Sequence, residues 1–145
     1  MFLGVEGSQL LAPVAGVLFL IGTSLWIVFS EYRATVIPWA AYHWAQEGKT
    51  PDIYQPLSLW ANRLGSVYMM LAYLSAAALG GALLEIGFLA SWIGWFAVLW
   101  GSAMAGIMAI GWPKPEGGEG TIAHFPVWAH IVPAVIGIAL IVEAF

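Results

Sequence analysis

The chain has 145 residues, of which 61% are hydrophobic and 8% are charged, and its mean hydropathy is +0.87. A soluble domain carries about 25% charged residues, because its surface must face water. This composition excludes an ordinary water-soluble globule and indicates a membrane protein. Four basic residues against eight acidic ones provide no positive surface for nucleic acid. The absence of cysteine excludes disulfides, thiolate metal ligands and a cysteine nucleophile.

Long uncharged runs divide the chain into candidate membrane spans, at 7–30, 64–84, 86–113 and 120–142. Each run reaches the length of about 20 residues that a helix needs to cross a hydrocarbon core of about 30 Å. Lipid permits only helices or closed barrels, and the period-two alternation of a barrel strand is absent from these runs. We therefore predict an all-α membrane protein with a single domain over 1–145. The predicted transmembrane helices lie near 9–30, 62–84, 88–111 and 127–144.

The first loop, 31–61, is rich in aromatic residues and differs from an ordinary linker. Within it, the segment 38–47 begins with Pro38, which suits a helix start, and is followed by Gly48, which suits a helix end. Aromatic side chains recur at helical spacing in the segment until two polar residues follow them. The pattern predicts a short amphipathic helix that lies in the headgroup plane.

Four crossings place both longer loops, 31–61 and 112–126, on one face of the membrane and both termini on the other. All basic residues belong to the loop face: Arg33, Lys49, Arg63 and Lys114. The positive-inside rule then predicts cytoplasmic loops, with both termini on the outer face of a bacterial-type cytoplasmic membrane. Because no basic residue precedes the first span, we expect a retained span and not a cleaved signal peptide.

Small residues recur at four-residue spacing in the second and third predicted helices. Such residues let helix backbones approach closely in lipid, where apolar side chains gain nothing by avoiding water. A turn as short as 85–87 makes these two helices antiparallel neighbours. The residues predicted to pack them together are Ala72, Ala76 and Gly80 in helix two, and Ala97, Gly101, Ala105 and Ala109 in helix three.

The chain is tryptophan-rich, with nine indoles in 145 residues. An indole has one apolar side and one polar N–H, so it favours the boundary between lipid and water. We interpret most of these residues as an aromatic belt, with packing around a pigment or quinone as the alternative.

Every histidine is on the predicted loop face, where imidazole could bind a haem or another cofactor. His43 and His130 could face one another there, with Arg63 at the start of helix two completing a polar pocket. The alternative is that these side chains are simply hydrated at the membrane surface. His124 and His130 are six residues apart, which is about 240° on a helix, so they do not form a chelating pair. No metal site and no catalytic residues are predicted, and the identity of any cofactor stays open.

These features favour an accessory or structural subunit of a larger membrane complex, with an energy-converting complex as one candidate. The expected partners are the lipid bilayer and other membrane subunits or copies of the chain. One alternative is a binder of a haem, quinone, pigment or other lipophilic cofactor. Another is a small oligomeric transporter or channel, although no charge lies at the centre of a predicted span. Enzymatic activity is not indicated by any motif.

Overall fold

The computed structural model describes residues 10–87, 90–110 and 125–144 of the chain. These residues are almost entirely helical, and no strand occurs among them. The all-helical class predicted from the sequence is therefore confirmed for this part of the chain. The helices are α1 (Leu11–Glu47), α2 (Tyr54–Ile86), α3 (Ser91–Ala109) and α4 (Phe125–Ala144).

Three helices, α1, α2 and α3, are long and apolar enough to cross a membrane, which suggests a membrane protein. Helix α4 contains a shorter apolar stretch, His130–Ala139, so a fourth span stays a prediction. Helix α1 has 37 residues and α2 has 33. At about 1.5 Å per residue they are about 55 and 50 Å long, well beyond a hydrocarbon core of about 30 Å.

Helix α1 continues through the segment that the sequence assigned to a separate interfacial helix. That prediction is wrong, because the residues from Leu11 to Glu47 form one helix without a break. Gly48 ends this helix as predicted, in the left-handed conformation at φ 70°, and its N–H donates to the Trp44 carbonyl at 2.9 Å. Helix α2 also begins earlier than expected, at Tyr54. The first loop is consequently reduced to a short connection at 48–53.

Packing against α2 explains why α1 does not stop at Pro38. Tyr32 and Ala40 of α1 are buried, and Ala61 of α2 is completely buried. Pro38 is exposed, so the backbone hydrogen bond that it cannot donate is missing on the solvent side of the helix. A proline inside a helix costs about 3 kcal/mol, and the contacts that a continuous α1 makes with α2 offset this cost. The sequence signal for a helix start was therefore overridden by tertiary packing.

Helices α1 and α2 pack in antiparallel orientation along most of their length. Near the N-terminal end of α1, the buried Ser75 hydroxyl donates to the Ala15 carbonyl at 2.9 Å. About two turns further along α1, a Cβ on Gly22 would lie 3.5 Å from the Leu71 Cβ, which is ordinary van der Waals contact. Beyond it, the Phe29 ring covers Gly65 at 3.3 Å from its ideal Cβ position. These contacts hold the pair in one register.

Helices α2 and α3 approach even more closely, because glycines lie between their backbones. A Cβ on Gly80 would lie 2.6 Å from the Ala97 Cβ and 2.8 Å from the Gly94 carbonyl oxygen. At Gly101 a Cβ would lie 2.5 Å from the Tyr73 carbonyl oxygen. No side chain larger than hydrogen fits at such distances unless the helices separate.

The seven residues predicted to pack α2 and α3 differ in how deeply they are buried. Ala76, Gly80, Ala97, Gly101 and Ala105 are buried, whereas Ala72 is half-buried and Ala109 is exposed. These small residues thus lie in the α2–α3 interface, except for the two that are nearest to the 48–53 connection.

Helix α2 is the central helix of the described structure, since it contacts each of the other three. Helix α4 packs on α2 and α3, where Val132 and Ile136 join a cluster with Ala76, Leu83, Ile93 and Ala97. A second cluster joins Met69 and Tyr73 of α2 to Ala105 and Met108 near the end of α3. Because α3 ends beside Met69, the first turns of α2 and the last turns of α1 extend beyond it. We call residues 34–62 the distal hairpin.

Candidate functional site

The distal hairpin presents a group of aromatic side chains around His43 of α1. The Trp39 ring meets the His43 ring edge-on at a centroid distance of 5.0 Å, and Tyr42 does so at 6.0 Å. The His43 Nδ1 atom lies 3.4 Å from the Glu47 carboxylate, one turn further along the helix. Both side chains of this pair are substantially exposed, so the interaction contributes little to stability. The group is a surface feature with two aromatic rings, an imidazole and a carboxylate.

Arg63, the third residue of the predicted cofactor pocket, lies on α2 and is exposed. It forms no ion pair with a described residue, and the same holds for Arg33. The Arg33 guanidinium lies over the Phe29 ring at 5.8 Å, within the range of a cation–π contact. Each arginine thus reaches the surface, as expected for side chains that extend along an apolar helix toward water.

His130 lies in the first half of α4 and is exposed. Its helix contacts α2 and α3, and no contact joins α4 to α1 in the part of the chain that the structure describes. The helices that carry His43 and His130 are therefore not packed together, and a ligand shared by the two imidazoles stays a prediction. His124 lies outside the described residues.

Carboxylates and imidazoles do not converge elsewhere in the described ranges. Within residues 10–87, 90–110 and 125–144 there is no group of three or more histidine, aspartate or glutamate side chains that could hold a metal ion. The charged side chains that the structure describes lie in 31–63, with Glu85 at the end of α2 as the exception.

A buried tyrosine in the base of the hairpin is a feature that the sequence did not reveal. Tyr32 is 7% exposed, and its hydroxyl is fully enclosed. Ser58 and Tyr54 of α2 are the polar side chains that lie near this hydroxyl. The three residues come together only because α1 and α2 pair beyond the end of α3. Nothing in their spacing along the chain could have indicated the group.

The exposed aromatic side chains are the most extensive feature of the hairpin. Trp39 is 40% exposed, Tyr42 64%, Trp44 60% and Trp60 53%. Trp39 and Trp44 are five residues apart, which is about 140° around a helix. The two tryptophan rings therefore project from different sides of α1. The arrangement is suited to contacts on several sides at once.

Comparison of the chain with protein-family models, with curated proteins and with solved structures finds no match. A function for the candidate site is therefore inferred from its geometry alone.

Proposed function

We propose that this chain is an accessory or structural subunit of a larger membrane complex, with an energy-converting complex as one candidate. The observation that carries the proposal is the exposure of α1. In the described structure α1 packs only on α2. The remaining surface of its first 20 residues is largely apolar, with exposed residues that include Val17, Leu20 and Ile27. Such a helix suits an assembly in which neighbouring membrane subunits supply the missing contacts.

The proposal includes α4 as a fourth span and a cytoplasmic position for the hairpin. Helix α4 has 20 residues, which at about 1.5 Å each is about 30 Å, the thickness of a hydrocarbon core. Arg33, Lys49 and Arg63 lie in the distal hairpin or directly beside it, and Lys114 lies in the segment that precedes α4. By the positive-inside rule, this distribution favours cytoplasmic loops and termini on the outer face of a bacterial-type cytoplasmic membrane.

The chemistry of the spans supports an accessory role over transport. The ranges 64–84 and 91–109 contain no charged residue. A transport pathway commonly has a polar or ionisable group near the centre of the membrane. Close packing through Gly80 and Gly101 favours a rigid α2–α3 pair and not a pair that opens.

Binding of a lipophilic cofactor is the second candidate, and the group around His43 is the observation that favours it. Trp39 and Tyr42 could hold a flat ring, with the imidazole as a ligand or hydrogen-bond partner. This candidate requires no subunit other than the chain itself. Substitution of His43 by alanine would then remove a visible absorption band from the isolated protein.

Extraction from native membranes in a mild detergent tests both candidates. The tagged protein is sized, its co-purifying chains are identified by mass, and its visible spectrum is recorded before and after dithionite. We expect membrane subunits in constant ratio that remain after washing. A lone colourless protein would contradict the accessory role. A reducible absorption band on the lone protein would support the cofactor candidate instead.

A further inference from the structure

The distal hairpin carries an uncharged aromatic surface between two charged levels. Residues 34–46 of α1 and 53–62 of α2 contain no Asp, Glu, Lys or Arg. Charged residues occur at the base of the hairpin, at Glu31, Arg33 and Arg63, and at its tip, at Glu47, Lys49 and Asp52. An exposed apolar surface of this kind on a folded protein marks a site of interaction.

The charged level at the base indicates where the hydrocarbon ends. The uncharged run 64–84 of α2 is about 32 Å long, which matches a hydrocarbon core of about 30 Å. Arg63 directly precedes this run, and Glu31 and Arg33 follow the apolar part of α1. Charged side chains avoid hydrocarbon and reach its boundary. The boundary on this side therefore lies near Arg63 and Glu31.

Most of the aromatic surface lies too far from that boundary to be covered by lipid headgroups. The interfacial layer is roughly 5–7 Å thick on each side of a bilayer. At about 1.5 Å per residue, Trp39 is about 12 Å beyond Glu31 along α1, and Trp44 is about 20 Å beyond it. The usual helix tilt of about 20° changes these heights by less than a tenth. Only Trp60, which is three residues from Arg63, remains at headgroup level.

We propose that the distal hairpin docks on a neutral, apolar surface of another protein subunit, outside the lipid on the side of the first loop. This inference rests on the proposed accessory role. Interface centres are depleted of charged residues and enriched in Trp and Tyr, the composition that Trp39, Tyr42 and Trp44 provide. A partner surface that is neutral at its centre fits these rings, because a charge buried against them would lose its hydration.

A second copy of the chain is a less suitable occupant, because of Glu31. Glu31 and Tyr42 are eleven residues apart, so they share one side of α1 to within about 20°. Glu31 is exposed and has no ion-pair partner among the described residues. Two parallel copies that met through the Tyr42 side would bring their Glu31 carboxylates together, at an electrostatic cost. A different protein avoids this repulsion.

Cysteine labelling tests the proposal directly, since the chain contains no cysteine. Tyr42→Cys reports on the docking surface, Lys49→Cys on the exposed tip and Val17→Cys on the apolar part of α1. Labelling by a polyethylene glycol maleimide is compared between native membranes and nanodiscs of phosphatidylethanolamine and phosphatidylglycerol that hold one purified copy. We expect Tyr42→Cys to react at least about tenfold more slowly in native membranes, as for a site that is about 90% occupied. Lys49→Cys should react equally fast in both, and Val17→Cys slowly in both.

Three results would overturn the proposal. Slow reaction of Tyr42→Cys in single-copy nanodiscs would mean that lipid covers the surface. Protection that appears only in nanodiscs with two copies would identify the occupant as a second copy. Equally fast reaction in nanodiscs and in native membranes would mean that nothing covers it.

A paired substitution separates failure of this inference from failure of the accessory role. Trp39→Ser with Tyr42→Ser should release a co-purifying subunit, whereas Trp92→Ser, at an exposed tryptophan of α3, should retain it. If the wild-type protein brings no subunit with it, the accessory role fails. If both variants retain the subunits found with the wild type, only the docking surface is contradicted. Unchanged helix content by circular dichroism shows that each variant is folded.

Discussion

A single methyl group at Gly101 should weaken the packing of α2 on α3 more than its size suggests. The Cβ of an alanine at this position would lie 2.5 Å from the Tyr73 carbonyl oxygen and 2.8 Å from the Ala77 backbone nitrogen. Both atoms belong to the backbone of α2, so neither can rotate away as a side chain would. The two helices would have to separate by roughly 1 Å to reach a contact distance of about 3.5 Å.

The energetic cost follows from the contacts that such a separation weakens. A gap of about 0.5–1 Å forfeits a quarter to a half of the dispersion attraction between the atoms that line it. Overpacking in a close-packed interior costs about 1–3 kcal/mol. We therefore expect Gly101→Ala to lower the free energy of unfolding by about 1–3 kcal/mol relative to a glycine-to-alanine change that meets no neighbour.

Gly106 of the same helix provides that control. It is exposed, and an added Cβ would meet no atom within 4 Å. Both substitutions share the intrinsic preference of a helix for alanine over glycine, about 0.8–1 kcal/mol. The difference between the two variants therefore isolates the α2–α3 interface. Unfolding in mixed micelles by titration with sodium dodecyl sulfate, followed by helical circular dichroism, measures it. If Gly101→Ala is as stable as Gly106→Ala, the close approach of these backbones is refuted.

Two further substitutions test the α1–α2 pair by the same titration. Ser75→Ala removes the buried hydrogen bond to the Ala15 carbonyl and should cost about 0.5–1.5 kcal/mol. Ser66→Ala, whose hydroxyl bonds within its own helix, should stay within about 0.5 kcal/mol of the wild type, and equal losses would contradict a role for the interhelical bond. Ala61→Leu fills a completely buried position and should cost about 1–3 kcal/mol. Ala41→Leu, at an exposed position of α1, should change stability by less than about 0.5 kcal/mol, so a neutral Ala61→Leu would argue against tight packing at the hairpin base.

That the chain contains long apolar helices could be predicted because the relevant signal is local. An uncharged run of about 20 residues can cross the hydrocarbon core as a helix, whatever segments flank it. Small residues at four-residue spacing and a short turn likewise restrict α2 and α3 to antiparallel neighbours. The C-terminal glycine of α1 could be found for the same reason, because Gly48 adopts a conformation that other residues rarely take.

The course of α1 past residue 30 could not be predicted from local signals. Pro38 favours a helix start, and the structure places it inside a helix. Which outcome prevails depends on the contacts of Tyr32 and Ala40 with α2, and those contacts require the pairing register of the two helices. The same limit applies to the candidate site. The group around His43 comes from one segment of α1, and what surrounds that segment depends on where α3 ends.

The sequence by itself determined the helical, lipid-compatible character of this protein, because composition and run length decide whether a segment can leave water. It also indicated which residues could bring α2 and α3 close together. Only the tertiary structure decided that α2 is the central helix among the described residues and that α1 and α2 extend together past α3. The physical reason is that pairing depends on which helix faces meet, and this is a property of two segments together. Because of that extension, the exposed rings of Trp39 and Tyr42 lie farther from the predicted membrane spans than Glu31 and Arg63 do.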